Sequence, residues 1–309
     1  MHIIRDAREL QAGPKKVCLA IGFFDGVHLG HQQIIRQTVA DAESHEALAV
    51  VITFDRHPNT VVAPQRVPPL IYSLDQKLRA IDNTGADTTL LIHFDEVFSR
   101  QTGEEFVEWL HRSFGHIVSI CVGSTFTFGH KRGGNVALLQ RLGAELDFSV
   151  HGLAAVALDK EVVSSTRIRD AIRAGELDLA SQMLGRPYAL AGQVIKGDQL
   201  GQKLGFPTAN LECGGRALPP SGVYAAHALV SGKIYRTVVN IGYRPTVAAT
   251  SQLRVEAHLL QFSGELYGTE LELMFVEKLR DEQKFPSVEA LKKQIATDIA
   301  RANQLFEES

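Results

Sequence analysis

Residues 17–31 read VCLAIGFFDGVHLGH, and this stretch decides the fold of the first half of the chain. Val17–Ile21 is a short apolar strand, Gly22–Gly30 a loop punctuated by glycine, and Gln32–Ala42 a helix through Ile34, Ile35 and Val39. Working outward, Ala47–Phe54 is a continuous apolar run of the kind a strand shows when both its faces are buried in a parallel sheet. Leu90–Phe94 and Ile117–Val122 repeat that character, with a helical stretch at Glu104–Arg112 between them. Asn135–Leu142 reads as a short helix with Gly143 as its C-cap. Strand alternating with helix predicts a parallel sheet covered by helices.

The texture changes after Thr166. Arg167–Ala174 and Leu177–Leu184 read as two short helices separated by Gly175, and Gly185-Arg186-Pro187 then breaks the pattern. The boundary is expected there, giving domains 1–184 and 185–309. Beyond it come short alternating strands at Ala191–Ile195, Val223–Val230, Ile234–Ile241, Leu253–Leu260 and Leu271–Val276. Ser231-Gly232 is expected to form a tight hairpin turn. Short strands at near-regular spacing predict a small β-barrel. Leu291, Ile295, Ile299, Ala302 and Phe306 then repeat at helical spacing, predicting one amphipathic helix.

The chain has 309 residues, 45% hydrophobic and 22% charged, the balance of an ordinary globular protein of about two domains. Disordered, collagen-like and coiled-coil classes are excluded. Up to Met183 there are 18 basic and 22 acidic residues, and beyond it 14 and 13. Neither part is basic enough to make nucleic acid an expected partner. Cys18, Cys121 and Cys213 form no C-x-x-C pair, which excludes a disulfide framework and a Cys-rich zinc site. The opening residues lack a signal peptide's basic and apolar regions, and no run approaches the ~20 apolar residues that span a bilayer. A cytoplasmic enzyme with no membrane partner is therefore expected.

Four segments could carry chemistry. In GFFDGVHLGH, residues 22–31, glycines allow close backbone approach to phosphate, and His28 and His31 could donate to phosphoryl oxygens. A metal pair or a purely structural histidine pair are the alternatives. Ser164-Ser165-Thr166-Arg167-Ile168-Arg169 is an N-cap at its plainest, but three hydroxyls and two arginines also make a polyphosphate site. Gly205-Phe206-Pro207-Thr208-Ala209-Asn210, preceded by Lys196-Gly197-Asp198, suits Mg²⁺ and nucleotide phosphates, although spacing alone fits a simple turn. Glu256 shares one strand face with Arg254 and His258, and is either a general base or part of a solvated face.

Together these segments resemble the bacterial bifunctional riboflavin kinase/FMN adenylyltransferase (FAD synthetase) family, across essentially the whole chain. The resemblance runs through GFFDGVHLGH, TFDRHP (53–58), FDEVFS (94–99), VGSTFTFG (122–129), SSTRIR, LGRPY (184–188), GQKLGFPTAN (201–210), PSGVY (220–224), NIGYRPT (240–246), VEAHLL (255–260) and LYG (266–268). It implies a Rossmann-like α/β nucleotidyltransferase domain followed by a small Greek-key-type β-barrel riboflavin kinase domain with a C-terminal helix. Its substrates would be ATP, riboflavin and FMN, with Mg²⁺ as cofactor. His28 and His31 would be catalytic in the first domain. Gly22, Phe23, Asp25, Gly26, His57, Ser165, Thr166 and Arg169 would bind nucleotide there, and Thr125, Phe126 and Phe128 the flavin. In the barrel, Thr208 and Asn210 would organise the metal, Lys203 the nucleotide, Glu256 would be the base, and Arg280 would contact flavin. Against the family pattern, Arg56 stands in place of proline, Thr125 in place of Asp or Asn, Asn135 in place of Asp, and Gln261 in place of an acidic residue.

Overall fold

The computed structural model describes residues 1–10, 16–197, 200–244 and 252–308. The chain divides into two compact units, Met1–Arg167 and Ile168–Ser309.

The first unit is built on a six-stranded sheet: β1 (His2–Ile4), β2 (Lys16–Ile21), β3 (Leu48–Phe54), β4 (Thr88–Ile92), β5 (His116–Gly123) and β6 (Ser149–Leu153). Their spatial order is β1-β4-β3-β2-β5-β6, and every pairing is parallel. Helices α1 (Leu29–His45), α2 (Leu74–Asp82), α3 (Gly103–Phe114) and α4 (Val136–Leu146) connect the strands. Ala49–Thr53 is buried throughout, as the unbroken apolar run requires. Capping boxes start α2 (Ser73 with Gln76) and α3 (Thr102 with Glu105), and α3 presses Phe106, Val107 and Leu110 into the core. From β2 the chain steps to β3 and β4 on one side and later to β5 on the other. That reversal opens a crevice beyond the carboxyl ends of β2 and β5, where open α/β sheets bind their ligands.

The second unit begins with the helices α5 (Ser165–Ala174, which starts just before it) and α6 (Leu177–Leu184), separated by Gly175 at φ +82°. A closed antiparallel barrel follows: β7 (Ala189–Ile195), β8 (Ala209–Glu212), β9 (Gly222–Val230), β10 (Lys233–Arg244), β11 (Gln252–Leu259) and β12 (Glu270–Arg280). The order is β7-β8-β11-β10-β9-β12, and within it β12-β9-β10-β11 is a Greek key. Ser231 and Gly232 have φ of +47° and +80°, the positive pair that a tight β9–β10 turn of type I′ demands. The C-terminal helix α7 (Val288–Glu308) lays Ala302 and Phe306 against Val223, Ala225 and Val238.

Two details differ from expectation. Residues 209–212 form a sixth barrel strand where a turn was expected; four residues are too few for alternation to register. Gly143 lies inside α4, which runs on to Leu146 and is closed by Asp147 in the left-handed conformation. The glycine is there for room, since a methyl at 143 would lie 2.6 Å from the Phe148 carbonyl oxygen. Gly143→Ala should therefore destabilise the protein: overpacking costs about 1–3 kcal/mol, against a helix-propensity gain of about 1. A lowered thermal midpoint is expected; a raised one would show that the α4–Phe148 turn relaxes freely.

Candidate functional site

The loop after β2 is strained and closely held. Phe24 and Val27 have φ of +54° and +40°, with Gly26 at +77° between them. A β-branched residue at positive φ is a true outlier, and such strain gathers where function over-determines the backbone. Several bonds fix it. The Asp25 carboxylate accepts from the amides of Ile71 (3.0 Å) and Tyr72 (3.4 Å), and Gln32 Nε2 donates to the Val27 carbonyl (2.9 Å). His28 is the N-cap of α1: its Nδ1 accepts from the His31 amide at 3.4 Å. With Nδ1 accepting, the proton of the neutral ring lies on Nε2. The two imidazoles stack with centroids 3.6 Å apart, and Phe24 meets His31 edge-on at 5.2 Å. A structural role for the pair is thus real; among the described residues no group of three His, Cys, Asp or Glu side chains is placed to hold a metal ion.

Other predicted residues gather at the same edge of the sheet. Beyond β3, half-buried His57 stands edge-on to Phe23, centroids 4.8 Å apart. Asp55 pairs with His93 (2.6 Å) and Arg56 (3.5 Å). Burial works against its charge, but these partners and the Phe94 amide hold the carboxyl below its ordinary range. Arg56 thus has a partner in place of the proline's rigidity. Beyond β5, Thr125 is exposed, while Phe126 and Phe128 stack at 5.5 Å with Phe128 buried against Phe106. Asn135 caps α4 by accepting the Leu138 amide at 3.0 Å, which its amide oxygen does as well as the carboxylate of the family pattern.

At the start of α5 a single hydroxyl does the capping. Ser164 Oγ accepts the Arg167 amide (3.2 Å), while Ser165 Oγ donates to the Asp25 carbonyl (3.0 Å) and so joins this segment to the strained loop. Thr166 is exposed, and buried Arg169 lies one turn on from Ser165. Arg167 is occupied elsewhere, by the Leu158 and Glu161 carbonyls and the Glu161 carboxylate.

Sequence reasoning missed Lys77. This α2 residue is 5% exposed and donates at 2.7 Å to the Phe54 carbonyl. Burial lowers its pKa from 10.5 to about 8, with Asp25 and Asp55 working in the other direction.

In the barrel, Asn210, Glu256 and Asn240 are direct cross-strand neighbours on β8, β11 and β10. They share a face opposite the buried Val255 and Ala257. Asn240 was not anticipated; its place opposite Glu256 depends on register. Gly197 packs flat on the Asn210 carboxamide, where a methyl would overlap it, and a methyl at Gly201 would lie 3.0 Å from Thr208 Oγ1. His258 Nδ1 donates to the Pro207 carbonyl at 2.7 Å, bracing the turn before Thr208. Lys203 is exposed on the short helix Leu200–Leu204. Asp198, in the segment singled out before this turn, lies outside the described residues. Arg280 is engaged with α7: Nε and Nη2 reach the Asp298 carboxylate at 2.8–3.1 Å, and its guanidinium lies over the Phe285 ring.

Comparison with known proteins finds matches along nearly the whole chain. The FAD synthetase family model matches residues 10–167 and the riboflavin kinase model residues 184–306. Bifunctional riboflavin kinase/FMN adenylyltransferases of Haemophilus influenzae and Escherichia coli K12 are each 36% identical, covering 99% of this chain and 99% and 98% of theirs. That of Bacillus subtilis is 33% identical over 99% of this chain and 98% of its own. A solved Streptococcus pneumoniae structure described as a macrolide-efflux protein superposes with a TM-score of 0.82 at 27% identity, covering 97% of this chain and 98% of that one. Among the described residues no helix is long and apolar enough to cross a membrane.

The thiols stand apart from both clusters. Cys18, Cys121 and Cys213 are free and buried; burial pushes Cys121 and Cys213 up to about 12 and raises Cys18 as well. At pH 8 only about one Cys121 or Cys213 thiol in ten thousand is then the reactive thiolate. The native protein should resist a thiol reagent that labels all three sites after denaturation. Rapid native labelling at any of them would contradict the burial described.

Proposed function

The chain belongs to the bifunctional riboflavin kinase/FMN adenylyltransferase family, and from that premise we propose how its residues divide the two reactions. It phosphorylates riboflavin to FMN with ATP, then transfers adenylyl from a second ATP to FMN, giving FAD and pyrophosphate. We assign residues 1–184 to adenylyl transfer and 185–309 to the kinase, which puts α5 with the first reaction. A cytoplasmic location accords with these substrates.

In the first reaction, Gly22, Phe23, Asp25, Gly26 and His57 line the nucleotide. Ser165, Thr166 and Arg169 hold the outer phosphates, and Thr125, Phe126 and Phe128 hold the flavin. The FMN phosphate oxygen attacks the α-phosphorus in line, and the bond to the pyrophosphate oxygen breaks. His28, with its proton on Nε2, and His31 donate to the phosphoryl oxygens as charge shifts toward the leaving group. The observation that carries this reading is the stacked pair at the N-terminus of α1, beyond β2, at the reversal of strand order. No covalent intermediate is required; positioning and charge neutralisation suffice.

In the second domain, Glu256 takes the proton of the riboflavin 5′-hydroxyl as that oxygen attacks the γ-phosphorus and ADP leaves. Thr208 and Asn210 offer neutral oxygens, donors that suit a hard cation such as Mg²⁺ held partly by substrate phosphates. Gly197 and Gly201 let the backbone lie close against both residues, where a side chain would clash. Bound there, Mg²⁺ would neutralise phosphate charge. Lys203 is within the same segment and is assigned to the phosphates. Arg280, bound to Asp298, would serve flavin by fixing the end of β12 against α7.

Two substitutions separate the sites. Glu256→Gln should slow FMN formation by about 10²–10⁴-fold, the usual value of a general base, and leave FAD formation from supplied FMN unchanged. His28→Ala should slow FAD formation by about 10²–10³-fold and leave FMN formation intact. The measurement is a time course separating riboflavin, FMN and FAD. If both substitutions impair the same step, the division is wrong.

A further inference from the structure

Lys77 plays no part in either assignment above, yet its surroundings are unusual for a lysine. Lysines are almost never buried without a carboxylate partner, and most run their stems along the surface to bring the ammonium to water. Lys77 instead points its Nζ at three oxygens: the Phe54 carbonyl at 2.7 Å, Thr53 Oγ1 at 3.2 Å and the Phe23 carbonyl at 3.4 Å. Those acceptors match the three donors of an ammonium. Thr53 Oγ1 passes the link on by donating to the Phe23 carbonyl at 3.0 Å. The ammonium also sits 4.5 Å from the centroid of the Phe23 ring, which stands edge-on to His57. One cation therefore ties the carboxyl ends of β2 and β3 together beneath the loops that carry Phe23 and His57.

We propose that Lys77 is a positioning residue for adenylyl transfer, holding Phe23 and, through that ring, His57 in the arrangement that receives ATP. The proposal rests on the assignment of those two residues to the nucleotide. The charged groups facing the ammonium are Asp25 from the loop after β2 and Asp55 from the loop after β3. Asp25 is held by the Ile71 and Tyr72 amides and Asp55 by His93 and Arg56, so neither closes on Lys77 as an ion pair.

The depressed pKa gives the role a signature. As pH rises through about 8 the ammonium loses its proton, leaving two donors for three acceptors and no cation over the ring. FAD formation should fall across that range while FMN formation by the same chain does not. Unfolding driven by this group is not the cause. Between about 8 and 10.5 the unfolded chain binds more protons at Lys77 than the folded one, so its contribution to stability grows with pH.

The test compares the full chain with its Lys77→Met, Lys77→Arg and His57→Gln variants, following both activities and the KM for ATP from neutral to alkaline pH. With Lys77→Met, kcat/KM for ATP in FAD formation should fall about 100-fold, the cost of an ångström-scale misplacement, with FMN formation unchanged. Lys77→Arg, which stays charged, should recover part of that activity and lack the alkaline decline near pH 8. Wild-type kinetics in Lys77→Met, with only a lowered thermal midpoint, would overturn the proposal and leave the residue a purely structural role. If Lys77→Met fails to fold, the wild-type pH profile decides, and a flat profile through pH 8 counts against the proposal. His57→Gln separates the two levels. A raised KM there with none in Lys77→Met sinks the proposal alone, whereas an unchanged KM sinks the nucleotide assignment beneath it.

Discussion

The strands β2, β3 and β5 are buried on both faces along most of their length, so charged groups are pushed beyond their ends and a polar side chain within them, such as Thr53 or Ser119, must be hydrogen-bonded. That constraint shapes the first unit. Because β3 and β5 flank β2 on opposite sides, the loops that follow all three emerge together at one edge of the sheet. The Phe23–His28 loop, the His57 loop and the Thr125–Phe128 segment are therefore neighbours by topology before any side chain is considered. Asp25 makes use of this closeness, since it holds Ile71 and Tyr72 with its carboxylate and Ser165 with its carbonyl. The positive φ values at Phe24 and Val27 persist because the loop is fixed from so many directions.

The barrel meets the same need for a polar site in another way. Its interior is filled by Leu211, Val239, Ile241, Val255, Ala257 and their neighbours, which leaves the outer face for a row of polar residues. Alternation along antiparallel strands places every second residue there, and register brings Asn210, Glu256 and Asn240 into one row across three strands. The geometry is set by backbone hydrogen bonds instead of loop packing. Glycines supply the closeness: Gly197 and Gly201 allow chain to lie directly on Asn210 and Thr208.

The same contrast explains what could be read from the sequence. Long apolar runs announced β3 and β5, and the alternation at Arg254–Leu259 gave Glu256 its outward face without any structure. The glycine-and-histidine segment was legible because glycine and histidine are informative residue types. Lys77 was not, since a single lysine in LDQKLRAID looks like part of a solvated helix face. Only the packing of α2 shows that it lies on the buried side with Leu78 and Ile81. Asn240 and the grip of Asp298 on Arg280 depend on register and on where α7 lands, which residue spacing does not encode. Nor could it show that Gly143 provides room for Phe148 in place of ending a helix.

His28 shows how closely folding and chemistry are joined here. Serine or aspartate would be a better N-cap for α1, since both present a small oxygen acceptor to the free amides of the first turn. Neither would serve this loop. An aspartate would repel the phosphates that a helix N-terminus otherwise attracts. A serine would hold no ring against His31. Imidazole has two nitrogens with separate tasks: Nδ1 accepts the His31 amide, and that bond fixes the remaining proton on Nε2 as a donor. Gly30 then permits the ring to lie over the backbone, since a methyl there would stand 3.3 Å from Cε1. The bond that starts the helix also sets the tautomer, so the sheet, the cap and the proposed phosphate donor form one construction.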